Sequence, residues 1–429
     1  MRRDTLHTRT DRLARYVELG GIVARSGLWR GRRRADESDR GRSLRQALEQ
    51  AGGIYVKLGQ LLSTRPDLIP SDVVTELRFL QQDAPPVSGA AVHRLFVEEL
   101  GRPPAEVLHD FDTRPVAAAS VAQVHRGRLA DGAPVAVKVQ RPDVAARVAR
   151  DLDILGRLAA RLERHTGWAA EQRLAVAVQG FADSVTEELD FRVEARNLRA
   201  IADAVGRHDR IVVPAPVLAL SRRRVLVMEW IEGRPLSSGA AGLAPDHRRD
   251  LARSLLHCFF EQIFTAGVFH ADPHPGNLHL TADGRIALLD CGAVGRLTPA
   301  QQAGLRLMCV GIAARDGRLM AAAVSEGLAG PPQPRPGTRA GAAPDGRELA
   351  AALDRLVARH LRPGSPPDLA LFAAFSDVLR RFGLTLEPVV LGAIRALATV
   401  QSTVELLAPD LDLLDEARVY GEGVLSPAA

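Results

Sequence analysis

Hydrophobic residues in the N-terminal part of the chain recur every three or four positions, the spacing of one face of an α-helix. Residues 1–40 are polar and basic, and the apolar stripe begins after Ser43. The stripe consists of Leu44, Leu48, Ala51, Tyr55, Leu58 and Leu62. After a break at Pro66 and Pro70, a second helix is predicted over residues 71–82. This part of the chain is therefore predicted to be helical.

Alternation of apolar and polar residues replaces the helical spacing between residues 116 and 142. The segment turns at Asp131-Gly132, and alternation on both sides of such a pair predicts a β-hairpin. A linker rich in proline and glycine is predicted at 331–346. The other predicted elements are helices at 143–164 and 171–205, a strand at 223–233, a helix at 247–266, a hairpin at 277–290 turning at Asp283-Gly284, and helices to about 415. The order predicts a small strand-rich lobe followed by a mostly helical lobe.

The composition is that of an ordinary globular protein, with 46% hydrophobic and 25% charged residues. A chain of 429 residues exceeds the usual size of a single core. The net charge of +5 is small against 56 basic and 51 acidic residues, so no nucleic acid partner is expected. One basic run, RSGLWRGRRR at 25–34, is either a solvated segment or a contact with anionic phospholipid or polyphosphate. The three scattered cysteines predict neither disulfides nor a zinc ribbon and indicate a reducing compartment.

The sequence gives no sign of export or of a membrane span. The N-terminus lacks the apolar segment of a secretory signal. No stretch reaches the roughly 18 uninterrupted apolar residues of a transmembrane helix. The nearest candidate, 389–408, contains Arg395, Gln401 and Glu405 and is predicted to be an amphipathic core helix. A cytoplasmic protein is expected, with at most a peripheral contact at the inner face of the membrane.

Lys138 stands on an otherwise apolar predicted strand, VAVKVQ. Because a buried ammonium group is costly without a partner, this lysine needs a carboxylate or a phosphate. In EELDFRVEARN, Asp190 and Glu194 are four residues apart and are predicted to share one helix face, with Glu188 nearby. Glu194 is the predicted partner of Lys138. An ordinary edge lysine and a solvated acidic face are the alternative explanations.

The segment VFHADPHPGNLHL at 268–280 contains several polar side chains of the kinds that act in catalysis and metal binding. Asp272 is followed five residues later by Asn277, and Asp290 ends the next hairpin. This order matches the kinase pattern of a carboxylate near the nucleophile followed by two oxygen ligands for magnesium. A zinc hydrolase using His270 and His274 is the alternative, but the prolines beside His274 exclude a helical pair of histidine ligands. The pattern favours a phosphoryl-transfer loop.

In this order, the motifs resemble the UbiB / AarF-type atypical protein-kinase-like family, which is associated with coenzyme Q and other isoprenoid lipids. The resemblance covers about residues 45–300. YVKLGQLLSTRPDLIP at 55–70 resembles the KxGQ motif, AAASVAQVH at 117–125 the alanine-rich loop, and ELD at 188–190 the ExD motif. Glu194 takes the position of the helix-C glutamate, while HADPHPGN and DCG correspond to the catalytic and metal-binding loops.

The resemblance implies an α+β, two-lobed protein-kinase-like fold with an N-terminal helical KxGQ extension and a helical C-terminal tail. The implied parts are a basic N-terminus at 1–40, the extension at 41–112, an N-lobe at 113–228 and a helical C-lobe at 229–429. ATP or ADP, with Mg²⁺, is expected between the two lobes.

The resemblance also implies a role for each site residue. The implied catalytic residues are Asp272, which orients the nucleophile, and Lys138 with Glu194. The implied nucleotide contacts are Ala117, Ala118, Ala119, Ser120, Val121, Lys138, Glu229 and Trp230. The implied magnesium ligands are Asn277 and Asp290. The regulatory family motif comprises Lys57, Gln60, Glu188 and Asp190, where the extension is expected to cover the cleft and exclude a protein substrate.

The implied function is Mg²⁺-dependent ATP hydrolysis in support of isoprenoid quinone or lipid metabolism, with an isoprenoid or quinone lipid as partner. Two alternatives stay open: a true kinase acting on a small molecule or protein, and a nucleotide-sensing scaffold without turnover.

Two features of the sequence depart from the ordinary kinase pattern. In addition, three glycines of the extension indicate close packing against it. Alanines replace the glycine-rich phosphate loop, and alanine resists positive φ, so a different grip on the phosphates is expected. Cys291 replaces the phenylalanine of the metal-binding DFG motif. Gly52, Gly53 and Gly59 are expected to let another backbone approach the extension helix.

Overall fold

The structure, a computed structural model, describes most of the chain in two units. The described residues are 9–26, 37–63, 69–77, 79–80, 86–167, 169, 173–206, 208–330, 346–360, 369–411, 416–417 and 419–420. Most of the basic run at 25–34 and of the predicted linker lies outside them. Unit 1 comprises Met1–Ala195 and Pro216–Trp230, and unit 2 comprises Arg196–Ala215 and Ile231–Ala429. Residues 196–215, which the family resemblance assigns to the N-lobe, thus group with unit 2.

Helices make up most of both units. The described α-helices are α1 (Arg9–Arg25), α2 (Glu37–Ala51), α3 (Ile54–Ser63), α4 (Ser71–Leu77), α5 (Gly89–Leu100), α6 (Pro104–Val107), α7 (Val144–His165), α8 (Leu174–Glu188), α9 (Phe191–Val205), α10 (Leu236–Gly239), α11 (Pro245–Phe260), α12 (Pro299–Ala314), α13 (Gly317–Ala323), α14 (Gly346–His360), α15 (Leu369–Arg381) and α16 (Pro388–Leu407). π-Helical turns over Glu261–Ala266 and Val324–Leu328 continue α11 and α13.

The strands are short and form separate sheets. They are β1 (Ala117–Ala118), β2 (Ala122–Arg128), β3 (Pro134–Gln140), β4 (Ile211–Val212), β5 (Val225–Glu229), β6 (Gly233–Pro235), β7 (Val268–His270), β8 (Leu278–Thr281), β9 (Ile286–Leu288) and β10 (Val294–Arg296). Unit 1 holds one antiparallel sheet of order β1-β2-β3-β5. Unit 2 holds a sheet of order β4-β9-β8-β6 and the pair β10-β7.

Both predicted hairpins are confirmed. β2 and β3 pair antiparallel and turn at Asp131-Gly132, where Gly132 has a φ of +87°. The Asp131 carboxylate accepts the Ala133 N–H at 2.9 Å, which closes the turn. β8 and β9 pair antiparallel and turn at Asp283-Gly284, where Gly284 has a φ of +82°. Glycine supplies the left-handed conformation that each turn needs.

The N-terminal stripe is helical, as predicted, but it forms two helices instead of one. Gly52 and Gly53 have φ values of +66° and +56°, and this left-handed pair separates α2 from α3. The expectation that glycine admits another backbone is wrong at Gly59. A Cβ there would lie 2.4 Å from Leu80 Cδ1 and 2.7 Å from Leu48 Cδ1, so the neighbours are side chains. The second predicted helix, α4, ends at Leu77.

The predicted helix over 171–205 is also divided, by Leu189 and Asp190 between α8 and α9. The break is held from both sides. Gln140 donates to the Leu189 carbonyl at 2.9 Å, and the Phe191 N–H donates to the Arg223 carbonyl at 2.9 Å. The prediction that Asp190 and Glu194 share one helix face is therefore wrong, because Asp190 precedes α9.

The apolar core of unit 1 joins the extension to the strand-rich lobe. One cluster of buried residues contains Ile54, Tyr55 and Val56 of α3, Val121 after β1, and residues of α7 and α8. Burial of apolar side chains stabilises by about 25 cal/mol per Å², so such a shared cluster holds α3 firmly to its unit. The extension is an integral part of unit 1 and does not pack as a separate body.

The helices of unit 2 include a long one, α16, in which most residues are apolar. Among the described helices, α16 is the one long and apolar enough to cross a membrane, with a mean hydropathy of 1.3. In the structure α16 packs against α11, and Val390, Ala393, Val400 and Val404 are fully buried. The same length and composition occur in core helices of globular proteins, and the packing agrees with the predicted core helix.

Candidate functional site

Lys138 and Glu194 form a close ion pair inside unit 1. Lys138 Nζ lies 2.8 Å from Glu194 Oε1 and 3.0 Å from Oε2, with side-chain exposures of 15% and 6%. The Lys138 ammonium also lies 5.6 Å from the centroid of the Phe191 ring. β3 alternates, so that Val137 and Val139 are buried in the core while Lys138 faces the other side. The contact predicted from the sequence is present, and its role stays a prediction.

The other two carboxylates of this region have partners of their own. Glu188, at the end of α8, forms an ion pair with Lys57 of α3. Asp190 accepts the Arg192 backbone N–H at 3.1 Å and the Arg192 side chain at 2.6 and 2.8 Å. Hydrogen bonding from the Arg192 guanidinium holds the pKa of Asp190 below its ordinary value. The two acidic residues of the ExD motif thus serve different contacts.

The KxGQ residues lie on α3, between the core and the end of α8. Lys57 is half-buried and reaches Glu188, whereas Gln60 is exposed and its amide lies 3.5 Å from the Leu80 carbonyl. Thr64 to Leu68, the later part of the motif, lie outside the described residues. The motif therefore connects the extension to α8 through Lys57.

The alanine-rich loop is a tight hairpin within the sheet of unit 1. β1 pairs with β2, and the Ala119 N–H donates to the Ala122 carbonyl at 2.8 Å. None of the five residues Ala117–Val121 has positive φ. The loop thus closes without the left-handed conformation that glycine would supply, in agreement with the expectation from alanine. The Arg141 side chain donates to the Ala119 carbonyl at 3.3 Å, a cation beside the loop that the sequence did not reveal.

The predicted hinge residues lie at the end of β5. Glu229 is exposed and pairs across the sheet with Val135. The Trp230 N–H donates to the Pro134 carbonyl at 3.1 Å. The Arg126 guanidinium lies 4.9 Å from the Trp230 ring centroid, a cation–π distance. The indole ring is therefore in contact with Arg126 of β2, which β3 separates from β5 in the sheet.

In unit 2, the two ring nitrogens of His270 take part in hydrogen bonds that fix the start of the predicted phosphoryl-transfer loop. The fully buried His270 receives the Asp272 N–H on Nδ1 at 3.1 Å, and its Nε2 lies 3.3 Å from the Leu289 carbonyl. Because Nδ1 accepts, Nε2 carries the proton. Both nitrogens are engaged, so His270 is not available as a zinc ligand. The zinc-hydrolase alternative thereby loses one of its two histidines.

Asn277 is oriented by the backbone of the same loop. Its Nδ2 donates to the Asp272 carbonyl at 3.1 Å, so Oδ1 is the acceptor atom of this side chain. The Asn277 carbonyl in turn receives the Leu289 N–H at 2.8 Å. The segment that carries Asp272 and Asn277 is thus tied to the strand end that carries Asp290.

Asp290 follows β9 in a left-handed conformation, with a φ of +52°. Aspartate is one of the few residues other than glycine that tolerate this conformation. The Asp290 side chain is exposed and its Oδ1 accepts the Gly292 N–H at 3.3 Å. The next residue, Cys291, is fully buried. The sequence therefore keeps the carboxylate outward and the thiol inward at this turn.

Gln262 is a site residue that the sequence analysis missed. It lies in the π-helical turn and is fully buried, with Oε1 accepting the His270 N–H at 2.9 Å. Its Nε2 lies 3.1 Å from Cys258 Sγ. The available signal is a single amide within the apolar run FFEQIF, since a buried amide must find partners.

The candidate metal ligands are a carboxylate and an amide, and the described residues contain no cluster of histidines or cysteines beside them. No group of three or more His, Cys, Asp or Glu residues close enough to hold a metal occurs among the described residues. Oxygen ligands of the Asn277 and Asp290 kind suit magnesium, which keeps several waters and needs few protein ligands.

Comparisons with known proteins agree with this arrangement. A family profile, the ABC1 atypical kinase-like domain, matches residues 79–324, more than half of the chain. A protein of Aeromonas salmonicida named Probable protein kinase UbiB is 32% identical over 417 residues, covering 95% of this chain and 74% of that one. This chain belongs to the ABC1 atypical kinase-like family.

Other relatives of this ABC1-family protein extend the comparison. The Probable protein kinase UbiB of Pseudomonas entomophila is 33% identical and covers 89% of this chain and 71% of its own. An uncharacterized protein of Synechocystis is 35% identical over 286 residues, 64% of this chain and 70% of that one. The solved complex of Rv3197 with erythromycin from Mycobacterium tuberculosis has a TM-score of 0.56 at 25% identity. The match covers 88% of this chain and 93% of that one. The α+β kinase-like fold is confirmed.

The Lys57–Glu188 ion pair of this ABC1-family protein is expected to make a small contribution to stability. The side chains are 18% and 40% exposed, and exposed pairs contribute about 0.2–1 kcal/mol. A double-mutant cycle with Lys57→Ala and Glu188→Gln is therefore expected to give a coupling of about 0.5 kcal/mol in urea unfolding. Glu187→Gln, an exposed neighbour, is the control and is expected to change little. A coupling above 2 kcal/mol would show that the pair is stronger than its exposure indicates.

His270 is expected to make the stability of this ABC1-family protein depend on pH. Burial lowers the pKa of His270 below its ordinary value, so the folded protein favours the neutral ring. The contribution of neutral His270 to the free energy of unfolding is present above about pH 6.5, the pKa of histidine in the unfolded chain. It is lost as the pH falls through the lower pKa that His270 has in the folded protein. His270→Gln is expected to flatten the decline of unfolding free energy between pH 7.5 and 5.

Urea unfolding across that pH range measures the effect. A residual slope is expected because burial also lowers the pKa of His125, His208 and His279. Identical slopes for wild type and variant would contradict the prediction.

Proposed function

We propose that this ABC1-family protein binds ATP, or ADP, with Mg²⁺ and hydrolyses ATP in support of isoprenoid quinone or lipid chemistry. The observation that carries the proposal is the buried Lys138–Glu194 pair, because kinases need this strand lysine and helix glutamate in place to hold the phosphates. The ordered set Asp272, Asn277 and Asp290 adds the remaining groups. The names of the UbiB relatives support a phosphotransferase-type site.

The proposed roles follow from the chemistry of each side chain. Lys138 binds phosphate oxygens as a fixed cation, and Glu194 keeps it extended. Asp272, exposed in the loop, orients a water or a small hydroxyl and takes its proton. Ala117 to Val121, Glu229 and Trp230 are proposed to contact the nucleotide.

Asn277 and Asp290 fit a magnesium ion. Asn277 offers the amide oxygen Oδ1 while its Nδ2 is engaged with the Asp272 carbonyl, and Asp290 offers an exposed carboxylate. Both donors are hard oxygen atoms. When bound, Mg²⁺ supplies positive charge that neutralises the phosphate oxygens. The protein holds the Asn277 oxygen directly before β8 and the Asp290 carboxylate shortly after β9.

The basic run near the N-terminus is the feature of the sequence that favours a contact with a membrane surface. The basic run at 25–34 carries five arginines among ten residues, and each cation near an anionic leaflet contributes about 1 kcal/mol of attraction. We propose that the protein contacts the membrane peripherally while it handles an isoprenoid or quinone lipid. Lys57, Gln60, Glu188 and Asp190 are proposed to regulate access to the site.

A second ligand follows from the Mycobacterium tuberculosis relative. Rv3197 was solved in complex with erythromycin and shares the fold at a TM-score of 0.56. We propose erythromycin as a ligand to be tested on this chain by calorimetric titration. No heat of binding at millimolar concentration would reject it.

Phosphate release from Mg²⁺-ATP by the purified protein tests the main proposal, with and without vesicles containing anionic phospholipid. Release that requires Mg²⁺ and increases with vesicles is the expected result. A phosphorylated lipid or protein in place of free phosphate would assign a kinase. Nucleotide binding without any release would assign a nucleotide-sensing scaffold and overturn the hydrolase.

A further inference from the structure

The π-helical turn Glu261–Ala266 is the support on which the loop with Asp272 rests. Gln262 on this turn accepts the His270 N–H at 2.9 Å, and His270 Nδ1 accepts the Asp272 N–H at 3.1 Å. A displacement of Gln262 is therefore transmitted through two hydrogen bonds to the backbone of Asp272. π-Helical turns are rare and occur frequently at functional sites.

The carbonyls of the turn depend on side chains from α12. Gln302 Nε2 lies 3.3 Å from the Ile263 carbonyl and 3.0 Å from the Thr265 carbonyl, and Arg306 donates to the Phe264 carbonyl. An i to i+5 turn at a helix end leaves carbonyls without helical partners, so external donors stabilise it. One side of the turn is thus held by α12.

The C-terminal segment, here the described residues 416–417 and 419–420, contacts the other side. The Tyr420 hydroxyl lies 2.5 Å from Glu261 Oε2, to which it donates, and 3.1 Å from Thr265 Oγ1. The Tyr420 ring packs with its centroid 5.5 Å from Phe260 and 5.8 Å from His257. These contacts place Tyr420 against Glu261, which directly precedes Gln262, and against Thr265 of the same turn.

Glu416 anchors this segment to α11. It is 8% exposed, accepts two hydrogen bonds from Arg253 at 3.1 Å, and lies 3.0 Å from His257 Nε2. A buried carboxylate with an arginine partner fixes the segment more firmly than an exposed contact would. The ring of Tyr420 is consequently held at a defined position.

We propose that the C-terminal segment is a positioning element for the loop that carries Asp272. Tyr420 holds Glu261 and Thr265, the π-helical turn keeps its shape, and Gln262 then keeps the His270 and Asp272 backbone in place. Tyr420 contacts Glu261 and Thr265 of the π-helical turn and acts on the loop through that turn. The catalytic consequence rests on the proposed function, whereas the effect on the loop does not.

Tyr420→Phe in the full-length protein tests this inference, because it removes the hydroxyl and keeps the ring. Amide hydrogen exchange of peptides covering 268–278, without nucleotide, is expected to be about fivefold faster, the order that the loss of one net hydrogen bond permits. In ATP hydrolysis kcat is expected to fall about threefold to tenfold with KM nearly unchanged. Thr265→Val, which removes the second hydroxyl contact, is expected to act in the same direction.

Asp410→Asn is the matched control. It weakens another link between the C-terminal part of the chain and α11, the exposed Arg249–Asp410 pair, which does not touch the π-helical turn. Exchange in 268–278 is expected to remain at the wild-type rate. Unchanged exchange in Tyr420→Phe as well would overturn the positioning inference. Faster exchange in a protein that hydrolyses no ATP would support the inference and reject the proposed function.

Discussion

Asp290→Asn is expected to lower Mg²⁺-dependent ATP hydrolysis by at least about a hundredfold, because even residues that only orient metal ligands cost 10–100-fold when replaced. Asp290 is proposed as the charged magnesium ligand, and the amide keeps the shape but removes the negative charge. The left-handed backbone at this position tolerates asparagine as well as aspartate, so the turn itself is expected to survive. The loss would thus report on the metal site and not on folding.

Asp283→Asn is the matched control for Asp290→Asn. Asp283 lies in the turn of the hairpin that leads to Asp290, is exposed, and is paired with Arg285 and Thr281. Phosphate release, and the binding of ATP with and without Mg²⁺, are measured for both variants. Activity close to wild type in Asp283→Asn with near-complete loss in Asp290→Asn is expected. Retained Mg²⁺-dependent turnover in Asp290→Asn would remove this residue from the proposed site.

Lys138→Met is expected to lower the free energy of unfolding by about 3 kcal/mol, because it takes the ammonium away from a carboxylate that is only 6% exposed. Replacing both members by apolar side chains of similar volume is usually close to neutral. Lys138→Met combined with Glu194→Met is therefore expected to recover most of the lost stability. Urea unfolding of the two single variants and the double variant measures this difference.

Nucleotide binding separates the structural role of the pair from its functional role. ATP binding is expected to be about tenfold weaker in Lys138→Met, the effect of losing one charge-assisted hydrogen bond to phosphate. The double variant is expected to regain stability but not binding, since no cation returns. Wild-type affinity in the stable double variant would show that the pair serves the fold alone.

Several features of this protein follow from short-range sequence patterns. The two hairpins were predicted with their turns at Asp131-Gly132 and Asp283-Gly284, because glycine at a left-handed turn position is a local requirement. The choice of Glu194 for Lys138 also agrees with the structure. It depended on motif order, which periodicity alone does not supply.

Other features required the tertiary structure because they join residues that are distant along the chain. The sequence placed Asp190 and Glu194 on one helix face, but Gln140 and Arg223 hold the break that divides that helix. Glu188 pairs with Lys57, 131 positions away, and no local pattern indicates that choice. Long-range partners are selected by which side chains meet after packing.

From the residue types and their order alone, the chain is identified as a member of an atypical kinase-like family, because a lysine, carboxylates and an amide follow one another in the order of that family. How those groups are held depends on the packing of elements that lie far apart along the chain. Gln262 of the π-helical turn accepts the N–H of His270 in β7, and Tyr420 donates to Glu261, which lies 159 positions away along the chain. Such contacts depend on distance and direction in three dimensions, which spacing along a chain does not encode.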